Sequence, residues 1–280
     1  MEEIDRGCER MYNEVFHQYP NLGSFLMKHI PSMSFVAAIV ILMSFATGSF
    51  AQHSHKKKKA KHTAASTQPC AADIASCPLE GCGSDLDALL NKGKNRVTPP
   101  ADADVMDMSL DDIRSLAQPQ KTATAPAWEN NRDRSSLQGP GREGQAVRVM
   151  AYLWSAKREG AESCNCGLDA AGVPGQLMTD IHMVLTSGPN SKESTSVTAE
   201  ITPRVRATRP NPETWDWSSI QTFNKKFIRV TGYLLLDTHH LISDPLVRMT
   251  NWEVHPVTTL EVCTSTVTKC QAGTGWVNVN

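Results

Sequence analysis

A small closed β-barrel in the C-terminal half of the chain is the fold that this sequence predicts. Five segments after Gln145 alternate apolar with polar side chains, which is the period of half-buried strands. One stretch with helical spacing falls between the third and the fourth of these segments. The preceding half of the chain is rich in charged, small and turn-forming residues. The fold class is therefore mainly β, with a long irregular or disordered N-terminal region ahead of one domain at residues 145–270.

An export signal is the first feature along the chain. From Met27 the sequence has a cationic start, an apolar run and small residues before Gln52, which is the three-part pattern of a secretory signal. The apolar run is shorter than the roughly 20 residues that a membrane-spanning helix needs, although a retained anchor is the alternative. We therefore expect a cleaved signal peptide at residues 27–51. Residues 1–26 then form an upstream extension from a mis-called start codon.

Two segments without a core of their own follow the predicted cleavage point. Residues 52–76 are rich in Lys, His and Ala and bury too little apolar surface to offset the entropy of ordering, so we expect a disordered tether. Residues 77–144 are predicted to be irregular with one short helix. That helix begins at the capping pair Ser109 and Asp112 and ends before Pro119.

The charge composition excludes a strong global field. The chain has 28 basic and 29 acidic side chains and a formal net charge of −1, so no overall charge attracts it to nucleic acid or to a membrane. The local exception is HSHKKKKAKH at residues 53–62. This run would suit an anionic cell-envelope polymer, a lipid or a nucleic acid, and the alternative is a solvated tail without a partner.

The predicted strands of the barrel are AVRVMAYLWSA, DIHMVLTSG, SVTAEITP, FIRVTGYLLLD and NWEVHPVTTLEVC. The helix between the third and the fourth strand is marked by Trp217, Ile220 and Phe223. Gly232 predicts a bend or bulge in the fourth strand, and Pro256 predicts that the fifth strand is an edge or a bulged strand. Three strands, a helix and two strands are the order of a five-stranded Greek-key barrel of the OB type. A β-sandwich with a stray helix is the alternative, and residues 271–280 are predicted to be a C-terminal tail.

Cysteines support the export prediction. Seven follow the predicted signal, so in an oxidising compartment most should be paired and at least one is left over. Cys263 and Cys270 flank a short segment after the last strand and are predicted to form a local disulfide. If thiols stay reduced, a zinc site becomes the alternative; its ligands would be Cys77, Cys82, Cys164 and Cys166.

Barrels of the OB type bind ligands across their second and third strands and the flanking loops. Single-strand nucleic-acid binders place aromatic and basic side chains there, whereas this chain offers carboxylates and histidines, so nucleic acid is not expected at the barrel face. The candidate ligand-binding residues are Glu162, Asn165, Asp180, His182, Glu200, His239, His240, Arg248, Glu253 and His255.

Two carboxylate and histidine pairs stand out among these candidates. Asp180 with His182, and Glu253 with His255, are each two apart on a strand and so point to the same side. Such a group can orient a general base or bind a divalent metal ion, and the alternative, which the sequence favours, is ordinary structural hydrogen bonding. No HExxH spacing, phosphate loop or nucleophile elbow is present in the sequence. We therefore predict no catalytic residue and no cofactor, with a divalent metal ion as the alternative.

Several stretches of this chain are similar to a known family. Between about residues 77 and 263 the stretches LNKGKNR, AESCNCG, TDIHMVL, VTAEITPR, IRVTGYLLLD and NWEVHPVTTLEVC resemble an uncharacterised family of exported bacterial OB-fold-like proteins with a closing strand of the form WEIHPVT. The resemblance implies an OB-type domain behind a signal peptide and implies no activity. The chain departs from the family in the second stretch, where Cys164 and Cys166 stand.

The sequence thus predicts an exported, periplasmic or extracellular, non-enzymatic binding or interaction module of the OB type, with an unknown partner. One alternative is a metal-dependent hydrolase that uses the histidine and carboxylate cluster. Another is a cell-envelope scaffold tethered by the lysine-rich tail. A metal site requires that its ligands converge within about 6 Å, which only a structure can test.

Overall fold

The computed structural model describes residues 69–83, 86–117, 133–169, 178–239 and 248–280. The predicted extension at 1–26, the signal peptide at 27–51, the basic run at 53–62 and the candidate His240 lie outside the described residues. Within the described ranges, no helix has both the length and the apolar character needed to cross a membrane.

Five of the strands close into a barrel. The strands are β1 (Met106–Asp107), β2 (Ala146–Arg158), β3 (Ile181–Thr186), β4 (Val197–Ile201), β5 (Phe227–Leu236), β6 (Trp252–Cys263) and β7 (Trp276–Asn278). Antiparallel pairs join β2 to β3, β3 to β4, β6 to β5 and β5 back to β2, while β4 and β6 pair in parallel. This circuit is the OB-type Greek-key order, so the predicted fold class is confirmed and the β-sandwich alternative is wrong. Two short strands extend the sheet, β1 beside β2 and β7 beside β6.

The core is built from the apolar face of each barrel strand. Along β2 the side chains of Val147, Val149, Ala151 and Leu153 are buried, and the residues that alternate with them are half-buried. Trp252, at the start of β6, is also buried, and its indole nitrogen donates to the carbonyl oxygen of Ala117 at 2.9 Å. The alternation read from the sequence therefore assigns the inner faces correctly, because successive side chains of a strand point to opposite sides.

In the part of the chain that the structure describes, five short helices surround the barrel, namely α1 (Ala88–Lys94), α2 (Leu110–Ser115), α3 (Pro203–Ala207), α4 (Trp217–Gln221) and α5 (Val267–Gln271). α2 begins at the expected capping box, in which Ser109 and Asp112 exchange hydrogen bonds. The connection between β4 and β5 holds two helices, α3 and α4, and not one. The segment at 77–144 likewise contains α1 as well as α2, since burial of Leu90 against its neighbours stabilises a helix too short to predict from its own sequence.

Gly232 pairs with Val257 and lies against the backbone of Pro256, where β5 and β6 lose their register. A Cβ on Gly232 would lie 2.2 Å from the carbonyl oxygen of Pro256, so no other residue fits there without displacing backbone. The bulge is as predicted, but β6 is not an edge strand, because it pairs with both β4 and β5. Proline has no N–H to donate to a neighbouring strand. Pro256 fits inside the sheet because the register is interrupted there and no hydrogen bond from its nitrogen is needed.

The described residues contain three disulfides, Cys70–Cys82, Cys77–Cys166 and the predicted Cys263–Cys270. Cys164 is a free, buried thiol. The four-cysteine zinc site is therefore wrong, because three of its four ligands are in disulfides. We use the name clasp for residues 69–83 together with 86–95, which Cys77–Cys166 ties to the loop between β2 and β3.

Candidate functional site

Charged side chains from three neighbouring strands meet in the interior beside the clasp. At the centre are Asp180, Glu200 and His255, which we call the inner triad. Each offers one ligand atom, and these three atoms all lie within 4.8 Å of one another. The residues are almost completely enclosed, with relative exposures of 0%, 6% and 0%. The convergence that a metal site requires is therefore met by Asp180, Glu200 and His255, three of the ligand-binding candidates that the sequence offered.

Strand pairing explains why these three residues meet. Glu200 lies on β4, the central strand of the site, and β3 and β6 flank it. Asp180 immediately precedes β3, whose first residue pairs with the last residue of β4. Glu253 of β6 lies beside Thr198 of β4, which brings His255, two residues further on, alongside Glu200. The parallel pairing of β4 with β6 is thus the step that assembles the triad.

His255 is surrounded by carboxylates. Its Nδ1 lies 3.0 Å from Oε1 of Glu253 and 3.2 Å from Oε2 of Glu200. Its Nε2 lies 3.3 Å from Oδ2 of Asp180. Burial disfavours the imidazolium, but the charges of the surrounding carboxylates outweigh that effect and raise the pKa of His255 to about 10.

The pKa values of the two triad carboxylates are shifted in opposite directions. Burial, reinforced by the charge of Glu253, raises the pKa of Glu200 to about 7. Burial acts on Asp180 in the same sense, but the hydrogen bond and charge of His255 prevail and hold the pKa of Asp180 below its usual value. The site therefore carries negative charge that a nearby cation must balance.

A second layer of side chains holds the triad in place. Nδ2 of Asn165 donates to Oδ1 of Asp180 at 2.9 Å. Nη1 of Arg248 lies 3.5 Å from Oε2 of Glu253, and its Nη2 donates to Oδ2 of Asp237 at 2.9 Å. Sequence reasoning missed Asp237, although its position directly after β5 and at the same end of the barrel was a usable signal.

Several polar atoms at the centre lack a hydrogen-bond partner. They are Oδ2 of Asp180, Oε2 of Glu200, Nε2 of His255 and Oδ1 of Asn165. The first three lie within ion-pair distance of a neighbour but outside hydrogen-bond alignment. A buried polar group without a partner typically costs about 1–3 kcal/mol, and proteins seldom leave several together.

His182 belongs to a separate, outer triad with Glu159 and Glu200. Its Nδ1 lies 3.1 Å from Oε1 of Glu159 and 3.2 Å from Oε1 of Glu200. Its side chain is 20% exposed, so this group reaches solvent. Burial lowers the pKa of His182, but the hydrogen bonds to both carboxylates outweigh it and raise the pKa to about 10. The expected partnership of Asp180 with His182 is wrong, because Asp180 lies before β3 and is directed at Asn165 and His255 instead.

Two further candidates contact the clasp. Oε2 of Glu162 pairs with Nζ of Lys94 at 2.8 Å and accepts from Sγ of Cys164 at 3.3 Å. His239 lies 3.8 Å from Asp87 at the start of α1. Burial raises the pKa of the Cys164 thiol well above its ordinary value, so it is not a reactive thiolate.

Comparisons with known proteins add little to this geometry. No family model and no curated protein matches the chain. Among solved structures, it is similar to part of a putative aspartyl-tRNA synthetase from Leishmania major Friedlin, with 14% identity and a TM-score of 0.24. That similarity covers 54% of this chain and 24% of the synthetase chain, so this chain spans about a quarter of its length. A similarity this low carries no argument about function.

Proposed function

We propose that this chain is an exported, non-enzymatic binding module of the OB type. The observation that carries the proposal is the enclosure of the inner triad, whose residues are at most 6% exposed. A catalytic centre must leave a position open for substrate or water, whereas a closed polar cluster serves to hold a ligand or the fold. Its partner is therefore expected to bind without being transformed.

The clasp supports this proposal because it is joined to the loop between β2 and β3. OB barrels usually contact their ligands through this loop between their first two strands. Cys77–Cys166 joins the clasp covalently to the loop between β2 and β3. Nδ2 of Asn95 donates to the carbonyl oxygen of Cys164 at 2.9 Å, and Nζ of Lys94, buried to 3% exposure, reaches Glu162. A nucleic acid strand would have to displace this segment to reach the barrel face there.

Export is the second part of the proposal. Three disulfides in the described residues are typical of a protein that folds in an oxidising compartment. The secretory pattern before Gln52 accounts for how the chain reaches that compartment. We therefore propose a periplasmic or extracellular location.

A metal-dependent hydrolase is the second candidate, and the convergence of Asp180, Glu200 and His255 is the observation that favours it. The two candidates differ in turnover. Purified mature protein should be assayed with p-nitrophenyl acetate and bis-p-nitrophenyl phosphate, with and without added Zn²⁺ or Mn²⁺. We expect no hydrolysis above that of buffer and metal alone. Turnover that disappears in His255→Ala, with the disulfides of that variant intact, would establish the hydrolase and reject the binding module.

The binding role itself needs a positive result. A thermal-shift screen of the mature chain against peptidoglycan fragments and cell-envelope oligosaccharides should find a ligand that raises the melting temperature, because a ligand that binds only the folded state stabilises it. A parallel screen with single-stranded DNA and RNA oligonucleotides should give no shift.

A further inference from the structure

The unpartnered atoms of the inner triad share one property: all three can donate a lone pair to a metal ion. Oδ2 of Asp180, Oε2 of Glu200 and Nε2 of His255 are buried and have no hydrogen-bond partner. Nε2 of His255 and Oδ2 of Asp180 are 3.3 Å apart, and one ligand atom of each of the three residues lies within 4.8 Å of the other two. Two ligands of a tetrahedral zinc ion, each about 2.1 Å from it, are about 3.4 Å apart.

The remaining atoms of each triad residue are held by a neighbour. Oδ1 of Asp180 accepts from Asn165, and Nδ1 of His255 faces Oε1 of Glu253 at 3.0 Å. Oε1 of Glu200 lies 3.2 Å from His182. Each residue thus has one atom held by a second side chain and one buried atom without a hydrogen-bond partner, and that atom of Glu200 lies 3.2 Å from Nδ1 of His255. Metal ligands in proteins show this arrangement, in which a carboxylate on the far nitrogen of a histidine sets its tautomer and orientation.

The charges around the inner triad also favour a metal cation at its centre. Asp180, Glu200 and Glu253 all lie within 3.3 Å of the His255 ring. The fixed positive charges that act on these carboxylates are those of Arg248, at 3.5 Å from Glu253, and of the buried Lys94 and Arg206. A protonated His255 would partly balance the carboxylates, but it would leave the lone-pair atoms of Asp180 and Glu200 misaligned. A divalent cation would replace the proton on His255 and satisfy all three atoms together.

We infer that the inner triad is the binding site of a divalent first-row transition-metal ion, with Zn²⁺ the best match. One imidazole nitrogen and two carboxylate oxygens suit zinc and its neighbours, whereas Mg²⁺ and Ca²⁺ prefer oxygen ligands throughout. Glu253 and Asn165 are positioning residues. Binding releases the proton of His255 and fixes β3, β4 and β6 to one another through the ion. This site goes beyond the binding module proposed above, which rests on the enclosure of the triad and not on its occupation by a metal ion.

The test uses the mature chain with His53, His55 and His62 replaced by Asn, since these histidines of the basic run are adventitious metal ligands. The protein is refolded with Zn²⁺ or Co²⁺ under oxidising conditions and dialysed, and bound metal is counted by mass spectrometry. We expect one ion per chain, a rise in melting temperature, and no comparable effect of Mg²⁺ at the same concentration. A dialysed protein that holds no stoichiometric Zn²⁺ or Co²⁺ would overturn the inference.

Substitutions of the triad residues test where in the chain the ion binds. Asp180→Asn and Glu200→Gln preserve shape and should each weaken zinc binding by at least about 100-fold, more than the loss of a supporting residue usually causes. Glu261→Gln is the matched control, because Glu261 is a carboxylate of β6 that pairs with Arg229 away from the triad. Unchanged affinity in both triad variants would reject the site.

X-ray absorption of the zinc-loaded protein does not depend on whether a variant folds. Cys164, Glu162 and Asp180 form a neighbouring group of possible ligands that would contribute sulfur, whereas the other sulfur-bearing group in the described residues, Cys70, Cys82 and Cys166, is held in disulfides. We expect a shell of nitrogen and oxygen alone, which Cys164→Ser leaves unchanged. A sulfur ligand would assign the ion to Cys164 and overturn the inference.

Discussion

Nδ1 of His255 lies 3.0 Å from Oε1 of Glu253, two residues earlier on the same strand, and both side chains are completely buried. The carboxylate faces one ring nitrogen and leaves the other directed at Asp180, 3.3 Å away. Glu253 therefore orients the imidazole of His255, through a spacing of two residues that is visible in the sequence.

Glu253→Gln should therefore weaken zinc binding without removing a ligand. Loss of the carboxylate that orients a metal-binding histidine typically costs about 10–100-fold in affinity. Isothermal titration of the variant and of the Glu261→Gln control should separate this effect from a general loss of charge on β6. Equal affinities in the two variants would show that Glu253 does not position His255.

The Cys77–Cys166 disulfide should stabilise the fold more than Cys263–Cys270 does. The first encloses a sequence separation of 89 residues and the second one of 7, and the entropy removed from the unfolded chain grows with loop length. Replacing each pair with Ala should lower the free energy of unfolding by about 4–5 kcal/mol for the first and about 2–3 kcal/mol for the second. Urea titrations measure both, and a larger loss from the second pair would contradict the prediction.

Stability of the metal-free protein should fall as the pH rises. The pKa values of His182 and His255, about 10 when folded, exceed the ordinary value of 6.5, so their stabilising protons are fully present below 6.5 and are lost toward 10. Glu200 acts in the same direction between 4.5 and about 7. Chemical denaturation between pH 6 and pH 9 should show a decline of up to about 1.4 kcal/mol per pH unit for each of the two histidines.

His182→Asn isolates one contribution to that decline. It removes the ring that Glu159 and Glu200 share, so the loss of stability above pH 6.5 should be shallower than in the wild type. An identical slope in the two proteins would show that His182 does not carry a raised pKa.

Gly232→Ala should destabilise the barrel by about 1–3 kcal/mol, because the added methyl group would overlap the carbonyl oxygen of Pro256. Gly160→Ala is the control, since a Cβ there meets nothing within 4 Å and its backbone has no positive φ. That control should be neutral or stabilising by a few tenths of a kcal/mol, because it restricts the unfolded chain. Thermal unfolding of both variants distinguishes a close backbone approach from a general intolerance of substitution.

The exported protein should begin at Gln52. N-terminal sequencing of material from the periplasm or the culture medium checks this expectation directly, because a signal peptidase cuts after small residues. An intact N-terminus at Met1 in the membrane fraction would replace the cleaved signal with an anchor.

Short-range patterns in the sequence by themselves determined several features of the fold. Alternation along β2 identified its inner face, Ser109 and Asp112 marked the start of α2, and Gly232 located the bulge. The Cys263–Cys270 disulfide also followed from proximity along the chain. Each of these features depends on residues a few positions apart, where the geometry of one strand, turn or loop is sufficient.

Tertiary structure alone decided the partners across the barrel. Asp180 faces His255 and not His182 because β3 and β6 both flank β4, and no local spacing encodes a parallel neighbour distant in sequence. The Cys77–Cys166 pairing, and with it α1 and the clasp, likewise depends on which segments the closed barrel brings together. The sequence shows which side of a strand a residue occupies, but only the register between strands places its atoms within reach of a common ion.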